Sequence, residues 1–320
     1  MELRHLRYFA AAVREGSVTR AAKKLNIAQP PLSRQIQKLE EEVGVALLQR
    51  GSRPLKLTDA GHFFYEHALN ILDRAEALKM MTRRVGQIGQ GRFGIGVVGS
   101  ILYGPLPDMI RRFHATYPHV DIELVELTST QQINALKKGE IDIGFGRLHG
   151  TDSAIQQEVL VEEPLVVALP IGHSLLDHAG PVRLAELMPH RLIIYPSGPR
   201  PSYADQVLSI LQGRGLKPQV VREVSELQTA LGLVAAAVGV SLVPAAVQRL
   251  RRDDVVYRLL EDDAVTSPII MFSRLHDSSR EIGMLLQLVR DVYQKWDAES
   301  DLIGRREASA GEENATPNEE

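Results

Sequence analysis

At 320 residues the chain is long enough for two or three domains, and a hydrophobic content of 44% gives it material for sizeable cores. With no cysteine it has no disulfide, no thiolate metal site and no cysteine nucleophile, and no apolar run approaches the length of a membrane span. The net charge of −3 is unevenly placed: residues 1–58 carry eleven Lys or Arg against five acids, so that segment is +6 and the remainder about −9.

A basic head on an acidic body is the pattern of a DNA-binding domain joined to a separate module. Leu3–Glu15 reads as a first helix with Leu3, Leu6, Phe9, Ala10 and Val13 on one side. Ser17 is a candidate N-cap for a second helix, Val18 to Leu25, whose stripe is Ala21, Ala22 and Leu25. Asn26–Ala28 forms a turn. The third helix starts near Gln29, where Pro30 and Pro31 are tolerated because the first turn has no intrahelical N–H bond to lose. Leu32, Ile36 and Leu39 face inward, which leaves Gln29, Ser33, Arg34 and Gln37 outside. Amides pair with adenine edges and guanidinium with guanine, so this face suits base readout, and the pair of helices forms a helix-turn-helix. Gly44 ends the third helix. Ala46–Gln49 and Leu55–Thr58 then read as the strands of a small wing. Its tip carries Arg50 and Arg53, residues suited to phosphates or the minor groove.

Thr58 or Asp59 caps a long helix from Ala60 to about Gln87. Phe64, Ala68, Ile71, Ala75, Leu78, Thr82 and Val85 recur at steps of 4 and 3, a heptad seam that implies pairing with a second copy. Gly86, Gly89 and Gly91 mark a hinge. From Phe93 onward, strands and helices alternate in the rhythm of an α/β sheet. Strands are expected at Phe93–Val98, Val120–Leu127, Ile141–Phe145, Leu165–Ala168, Leu192–Tyr195, Val220–Val224, Val240–Val243 and Ile269–Ser273. Helices are expected at Leu106–Tyr117, Thr130–Lys138, Ser202–Arg214, Leu227–Ala237 and Glu281–Lys295. Two α/β lobes are expected, with crossovers near Glu162–Pro164 and Val265–Pro268. Periodicity is lost from Asp297 onward, as in a disordered tail. Met1–Arg7 is mostly polar and no apolar leader follows, so the chain is expected in the cytoplasm.

Two strand ends invite a ligand. Gly99-Ser100 and Thr128-Ser129 each close a strand and open a helix, exposing backbone N–H groups that bind carboxylates without a dedicated cation. Two such ends on one sheet edge suit a dicarboxylate. The alternative is that Ser100 and Ser129 are ordinary N-caps. Arg147 follows the third strand and reads first as an ion-pair partner. Gly94, Gly96 and Gly99 match GxGxxG, but the first two fall inside the strand, and Pro105 and Pro107 follow. A dinucleotide enzyme is therefore not expected. No HExxH, P-loop or GxSxG occurs, and His62 and His67 have poor metal spacing, so neither catalysis, a metal nor a cofactor is expected.

The head, MELRHLRYFAAAVREGSVTRAAKKLNIAQPPLSRQIQKLEEEVGVALLQRGSRPLKLTDAGHFFYEHA, resembles the LysR-type transcriptional regulators, and the likeness runs over about residues 1–295. The motifs VVGSILYGPLP (97–107), IDIGFGRL (141–148), YPSGPRPSY (195–203) and ALGLVAAAVGVSLVPA (230–245) narrow it to regulators of benzoate and catechol breakdown that respond to cis,cis-muconate. The resemblance implies an α/β chain with an N-terminal winged helix-turn-helix (1–58) and a dimerising linker helix and hinge (59–90). A two-lobed, periplasmic-binding-protein-like effector domain (91–300) follows, with lobe I at about 91–162 and 268–300 and lobe II at about 163–267. A tail (301–320) ends the chain. It implies Gln29, Pro30, Ser33 and Arg34 near bases and Arg53 in the minor groove. It places the effector against Gly99, Ser100, Ile101 and Leu102, with Ser129 or its neighbour Thr128 opposite and Pro201 and Tyr203 on the far wall. The implied partners are promoter DNA, RNA polymerase and a small carboxylate: muconate, a chloromuconate, benzoate or another aromatic-derived acid. The implied working unit is a homotetramer, a dimer of dimers, acting as an activator.

Overall fold

The computed structural model describes residues 1–49, 51–52, 54–86, 91–178, 180–262, 264–275 and 283–296. They form two compact units, one holding Met1–Gly86 and the other the α/β body. The tip arginines Arg50 and Arg53, the hinge at 87–90 and the tail from 297 lie outside the described residues.

The first unit opens with α1 (Leu3–Glu15), α2 (Val18–Lys24) and α3 (Gln29–Val43). The Ser17 hydroxyl caps α2 by accepting the Arg20 N–H, and Gly44 closes α3 in the left-handed conformation at φ 81°. Phe9, Ala12, Ala21, Ala22, Leu32, Ile36, Leu39 and Leu47 make one core. Leu3, expected inward, is exposed; Ala12 takes the buried position instead. The wing strands meet at Leu48 and Leu57, and Glu40 of α3 accepts the N–H groups of Leu47 and Leu48 at 2.7 and 2.9 Å. The carboxylate therefore ties the wing to the recognition helix.

Helix α4 (Asp59–Gly86) follows, with the Thr58 hydroxyl accepting the Gly61 N–H. The expected seam needs a correction. Phe64 packs edge-on against Phe9 at 5.4 Å, and Ala68 is buried, so the first two seam positions are taken by α1 within this unit. Among the described side chains of α4, Phe63, Ile71 and Leu78 are large apolar residues left facing outward. A heptad count assigned the stripe from spacing alone, and α1 claims one edge of it.

The body contains β1 (Gly91–Val97), α5 (Leu106–Thr116), β2 (Val120–Glu126), α6 (Ser129–Lys138), β3 (Ile143–Gly146) and β4 (Ile155–Pro170). After these come β5 (Arg191–Ile194), α7 (Tyr203–Gly213), β6 (Val220–Glu223), α8 (Leu227–Ala235), β7 (Ser241–Pro244), β8 (Val255–Leu259) and β9 (Thr266–Arg274). A last helix, α9, covers 283–296. Strands β2, β1 and β3 run parallel, and β9 joins them antiparallel. Strand β4 pairs with β9 as far as Pro164, then changes partners and pairs with β7 and β8 from Leu165 onward. One strand thus belongs to two sheets, and its polar first half, like β8, was not anticipated from the sequence. One face of the first sheet buries Phe93, Ile95 and Val97 against Met109, Phe113, Leu285 and Val289 of α5 and α9. The other packs Ile133 and Leu136 of α6 against Ile270 and Phe272. A separate cluster around Val166, Leu192, Val207, Leu231 and Leu242 forms the second lobe's core.

Candidate DNA-reading face and effector cleft

On α3 the inward leucines and isoleucine leave Gln29, Pro30, Arg34 and Gln37 exposed and Ser33 half-buried. The Gln29 side-chain amide donates to the Ser33 hydroxyl at 2.8 Å, so these two are already ordered against each other. Arg34 is exposed on the same helix, one residue from Ser33. This is a donor-rich surface on the second helix of a helix-turn-helix, the element that enters the major groove.

In the body, the carboxyl ends of β1, β2 and β3 lie side by side because the three strands are parallel and in register. Ser100 sits in the 3-10 turn Gly99–Tyr103 just beyond β1. The N–H groups of Gly99 and Ser100 precede the turn's first bond, Ile101 N–H to Val98 O at 2.9 Å, and so have no partner within it. Ile101 is fully buried in the lobe I core and Leu102 packs beside it, so Ile101 can present only backbone to a ligand. Beyond β2, Thr128 caps α6, accepting the Gln131 N–H while Gln131 receives its own. The Ser129 hydroxyl points the other way, is buried, and accepts the N–H groups of Arg147 and Leu148 at 3.0 and 3.2 Å.

Arg147, ranked as an ion-pair residue from the sequence, is the hub of this edge. It is 2% exposed; its Nε donates to the Ser100 hydroxyl at 2.9 Å and its Nη2 to Glu163 Oε2 at 2.6 Å. Glu163, on β4 where that strand leaves the first lobe, has no exposed surface, and its other oxygen accepts the Ala246 N–H of the second lobe at 2.7 Å. From the sequence Glu163 is placed only within the expected crossover Glu162–Pro164, and nothing in the run VEEP marks it as buried or as a partner of Arg147.

On the second lobe, Pro201 is exposed. Tyr203 is buried, and its hydroxyl donates to the Leu242 carbonyl at 3.2 Å. Tyr195, missed from the sequence, packs 5.2 Å from Tyr203, and its hydroxyl is buried without a hydrogen-bond partner. Burial raises both phenols above their ordinary pKa, so both stay neutral. The structure therefore groups Ser100, Ser129 and Arg147 directly, and places Pro201 and Tyr203 together on the other lobe. A groove of about 860 Å³ beside Arg92, Ile110 and His114 and a pocket of about 350 Å³ beside His173 and His190 involve none of these residues. Among the described residues no group of three metal-ligating side chains occurs, and no helix is long and apolar enough to cross a membrane.

A winged helix-turn-helix followed by a two-lobed body with strand-end hydroxyls defines a ligand-responsive DNA-binding regulator, and comparison with known proteins names its family. Residues 3–62 match the bacterial regulatory helix-turn-helix protein, lysR family, and residues 86–294 match the LysR substrate binding domain. The chain belongs to the LysR family of transcription regulators, and it is a regulator rather than an enzyme.

The chain is similar to the probable cat1 operon transcriptional activator of Acinetobacter lwoffii, with 51% identity over 92% of this chain and 96% of that protein. It is similar to the regulator BenM of Acinetobacter baylyi, with 46% identity over 92% and 96%. Against CatR of Pseudomonas putida the identity is 47% over 90% and 98%. Among solved structures, full-length BenM superposes with a TM-score of 0.61 at 44% identity, covering 92% of this chain and 97% of that one. The BenM effector binding domain with its effector benzoate gives 0.61 at 38% identity, covering 65% and 94%. Full-length CbnR complexed with its target DNA gives 0.59 at 31% identity, covering 91% and 100%.

Proposed function

We propose that this regulator activates genes of catechol and benzoate breakdown in response to a small carboxylate, cis,cis-muconate first among the candidates. The observation that carries the reading is the convergence of Ser100, Ser129 and Arg147 at the carboxyl ends of three parallel strands, facing a second lobe. Ligands of open α/β sheets bind at such edges, and the N–H groups of Gly99 and Ser100, which the turn's own bonds do not use, suit a carboxylate. Gly99, Ser100, Ile101, Leu102 and either Thr128 or Ser129 form one wall of the proposed site, with Pro201 and Tyr203 as the other. Benzoate is the second candidate, favoured by the effector that the BenM domain carries; a chloromuconate is the third.

DNA is read by Gln29, Pro30, Ser33 and Arg34, with Arg53 of the wing in the minor groove. We divide the chain into a DNA-binding domain (1–58), a linker helix and hinge (59–90), an effector domain (91–300) and a tail (301–320). The working unit is a cytoplasmic tetramer that contacts RNA polymerase. Support for the tetramer comes from two unpartnered apolar surfaces: Phe63 and Leu78 on α4, 69% and 63% exposed, and the edge strands β2 and β6, with Leu124, Val220 and Val221 outward. Effector binding favours one arrangement of the lobes, and only a difference in affinity between arrangements shifts the population.

The test has two measurements. Cis,cis-muconate should raise the thermal midpoint of the full chain, as any ligand of the folded state does. It should also change the length or the hypersensitive sites of the footprint on promoter DNA. Identical melting and identical footprints with muconate, chloromuconate and benzoate would overturn the reading.

A further inference from the structure

The first turn of α6 satisfies four backbone groups that belong to other elements. Ser129 takes the N–H groups of Arg147 and Leu148. One turn later Gln132, with no exposed surface, donates its side-chain amide to the carbonyls of Leu127 and Phe145, both at 2.9 Å. Both partners are acceptors, so the nitrogen must face them, and the amide oxygen is left buried without a partner. The Phe145 carbonyl also accepts the Val98 N–H at 3.1 Å, and the Leu127 N–H reaches the Val97 carbonyl at 2.9 Å. The ends of β2 and β3, which lead into Ser129 and Arg147, are thus bridged by one side chain, and the end of β1, which lies between them and leads into Ser100, joins both through backbone bonds.

Two glycines inside strands make room for it. A Cβ on Gly144 would lie 2.5 Å from Gln132 Oε1, and one on Gly96 would lie 2.6 Å from Ile141 Cδ1 and 3.1 Å from Gln132 Cγ. Burying an amide among Ile133, Leu136, Ile141 and Phe272 is unfavourable unless its donors are used, and here both donors go to strand ends and nowhere else.

We propose that Gln132 is the positioning residue of the effector site: it fixes the separation of the β2 and β3 ends on either side of β1, where the effector carboxylate is received, and it acts on binding without touching the ligand. The proposal rests on the effector reading above. It also gives a reason for Gly144 inside β3, where glycine otherwise weakens a sheet; Gly96 makes room for Ile141 as well as for Gln132.

The test uses the full chain, cis,cis-muconate or benzoate as probe, and two variants. Gln132→Met keeps the length of the side chain and removes both hydrogen bonds. Gln132→Glu puts a carboxylate against two carbonyls when ionised and restores one donor when protonated. Affinity is measured by calorimetry between pH 6 and 8, alongside binding to promoter DNA. For Gln132→Met we expect at least a tenfold loss of effector affinity with DNA affinity within twofold of the parent. For Gln132→Glu we expect affinity to recover at least tenfold from pH 8 to pH 6, relative to the parent's profile. Effector affinity of Gln132→Met within twofold of the parent overturns the proposal. If that variant does not fold, a Gln132→Glu profile parallel to the parent's overturns it instead. A parent chain that binds neither probe overturns the effector reading, and the proposal falls with it.

Discussion

Replacing Glu163 with glutamine isolates a charge. The carboxylate has no exposed surface and holds Arg147, itself 2% exposed, at 2.6 Å. In Glu163→Gln the side chain still has an oxygen for the Ala246 N–H, but the guanidinium loses its counter-charge where water does not reach it. Breaking one side of a buried ion pair costs about 3–5 kcal/mol. The effector-domain match spans residues 86–294, and in a unit of that size each kcal/mol lowers the thermal midpoint by about 2–4 °C. The body's transition should therefore fall by about 6–20 °C in calorimetry of the full chain. Removing both charges in Arg147→Met with Glu163→Leu should cost much less than the two single changes together, because the penalty is the unpaired charge rather than the lost contact. A Glu163→Gln midpoint within about 2 °C of the parent's would refute the reasoning. It would mean that solvent, not Glu163, balances Arg147.

Arg34→Ala should cost about 1–3 kcal/mol of specific DNA affinity while leaving the body's melting unchanged; electrophoretic mobility shift against promoter and unrelated duplex checks it. Gly144→Ala drives a methyl to 2.5 Å from Gln132 Oε1 and should destabilise the body by about 1–3 kcal/mol in urea unfolding. His173 packs 4.5 Å from His190, and burial together with that neighbour holds its pKa below the ordinary 6.5. The folded state then binds fewer protons than the unfolded one, so this contribution is complete above pH 6.5 and is lost as pH falls through the folded value. The thermal midpoint should drop over that interval in the parent, and less in His173→Gln.

The helices were legible because capping residues and a 3.6-residue stripe are local: Ser17, Gly44, and the set Leu32, Ile36, Leu39 each carry their signal within a few positions. The first half of β4 was not, because QQEVLVEE sets three apolar residues between polar runs with no period-two alternation, and it is held by β9, over a hundred positions away. The same distance effect governs the site. Ser100 and Ser129 stood out as strand-end hydroxyls, and a likeness to known regulators marked Tyr203. Glu163 and Gln132 look like surface residues in sequence, since what buries them is the change of partner by β4 in one case and the packing of α6 on the sheet in the other. The expected seam on α4 failed at Phe64 and Ala68 for a related reason: spacing identifies an apolar stripe but not which neighbour covers it.

The energy available to an effector can be compared with what holds the lobes. Besides Glu163, two neutral side-chain hydrogen bonds among the described residues join them: Gln228 Nε2 donates to the Tyr103 hydroxyl at 3.4 Å, and the hydroxyl of Ser267, which β9 carries in the first sheet although the expected bounds left it in lobe II, donates to Gln206 Oε1 at 2.9 Å. Each such bond contributes about 0.5–1.5 kcal/mol, so together they supply at most about 3 kcal/mol. A ligand that prefers one arrangement a hundredfold contributes about 2.7 kcal/mol, which is of the same size. The Arg147–Glu163 pair is buried and sits where β4 crosses between the lobes, so closure is expected to leave it intact. The two bridges favour retention of a ligand lying between the lobes. Replacing Gln206 and Gln228 with alanine together should raise the effector Kd by up to about a hundredfold while the body's melting moves by only a few degrees. An unchanged Kd in that double variant would show that the bridges do not take part in closure.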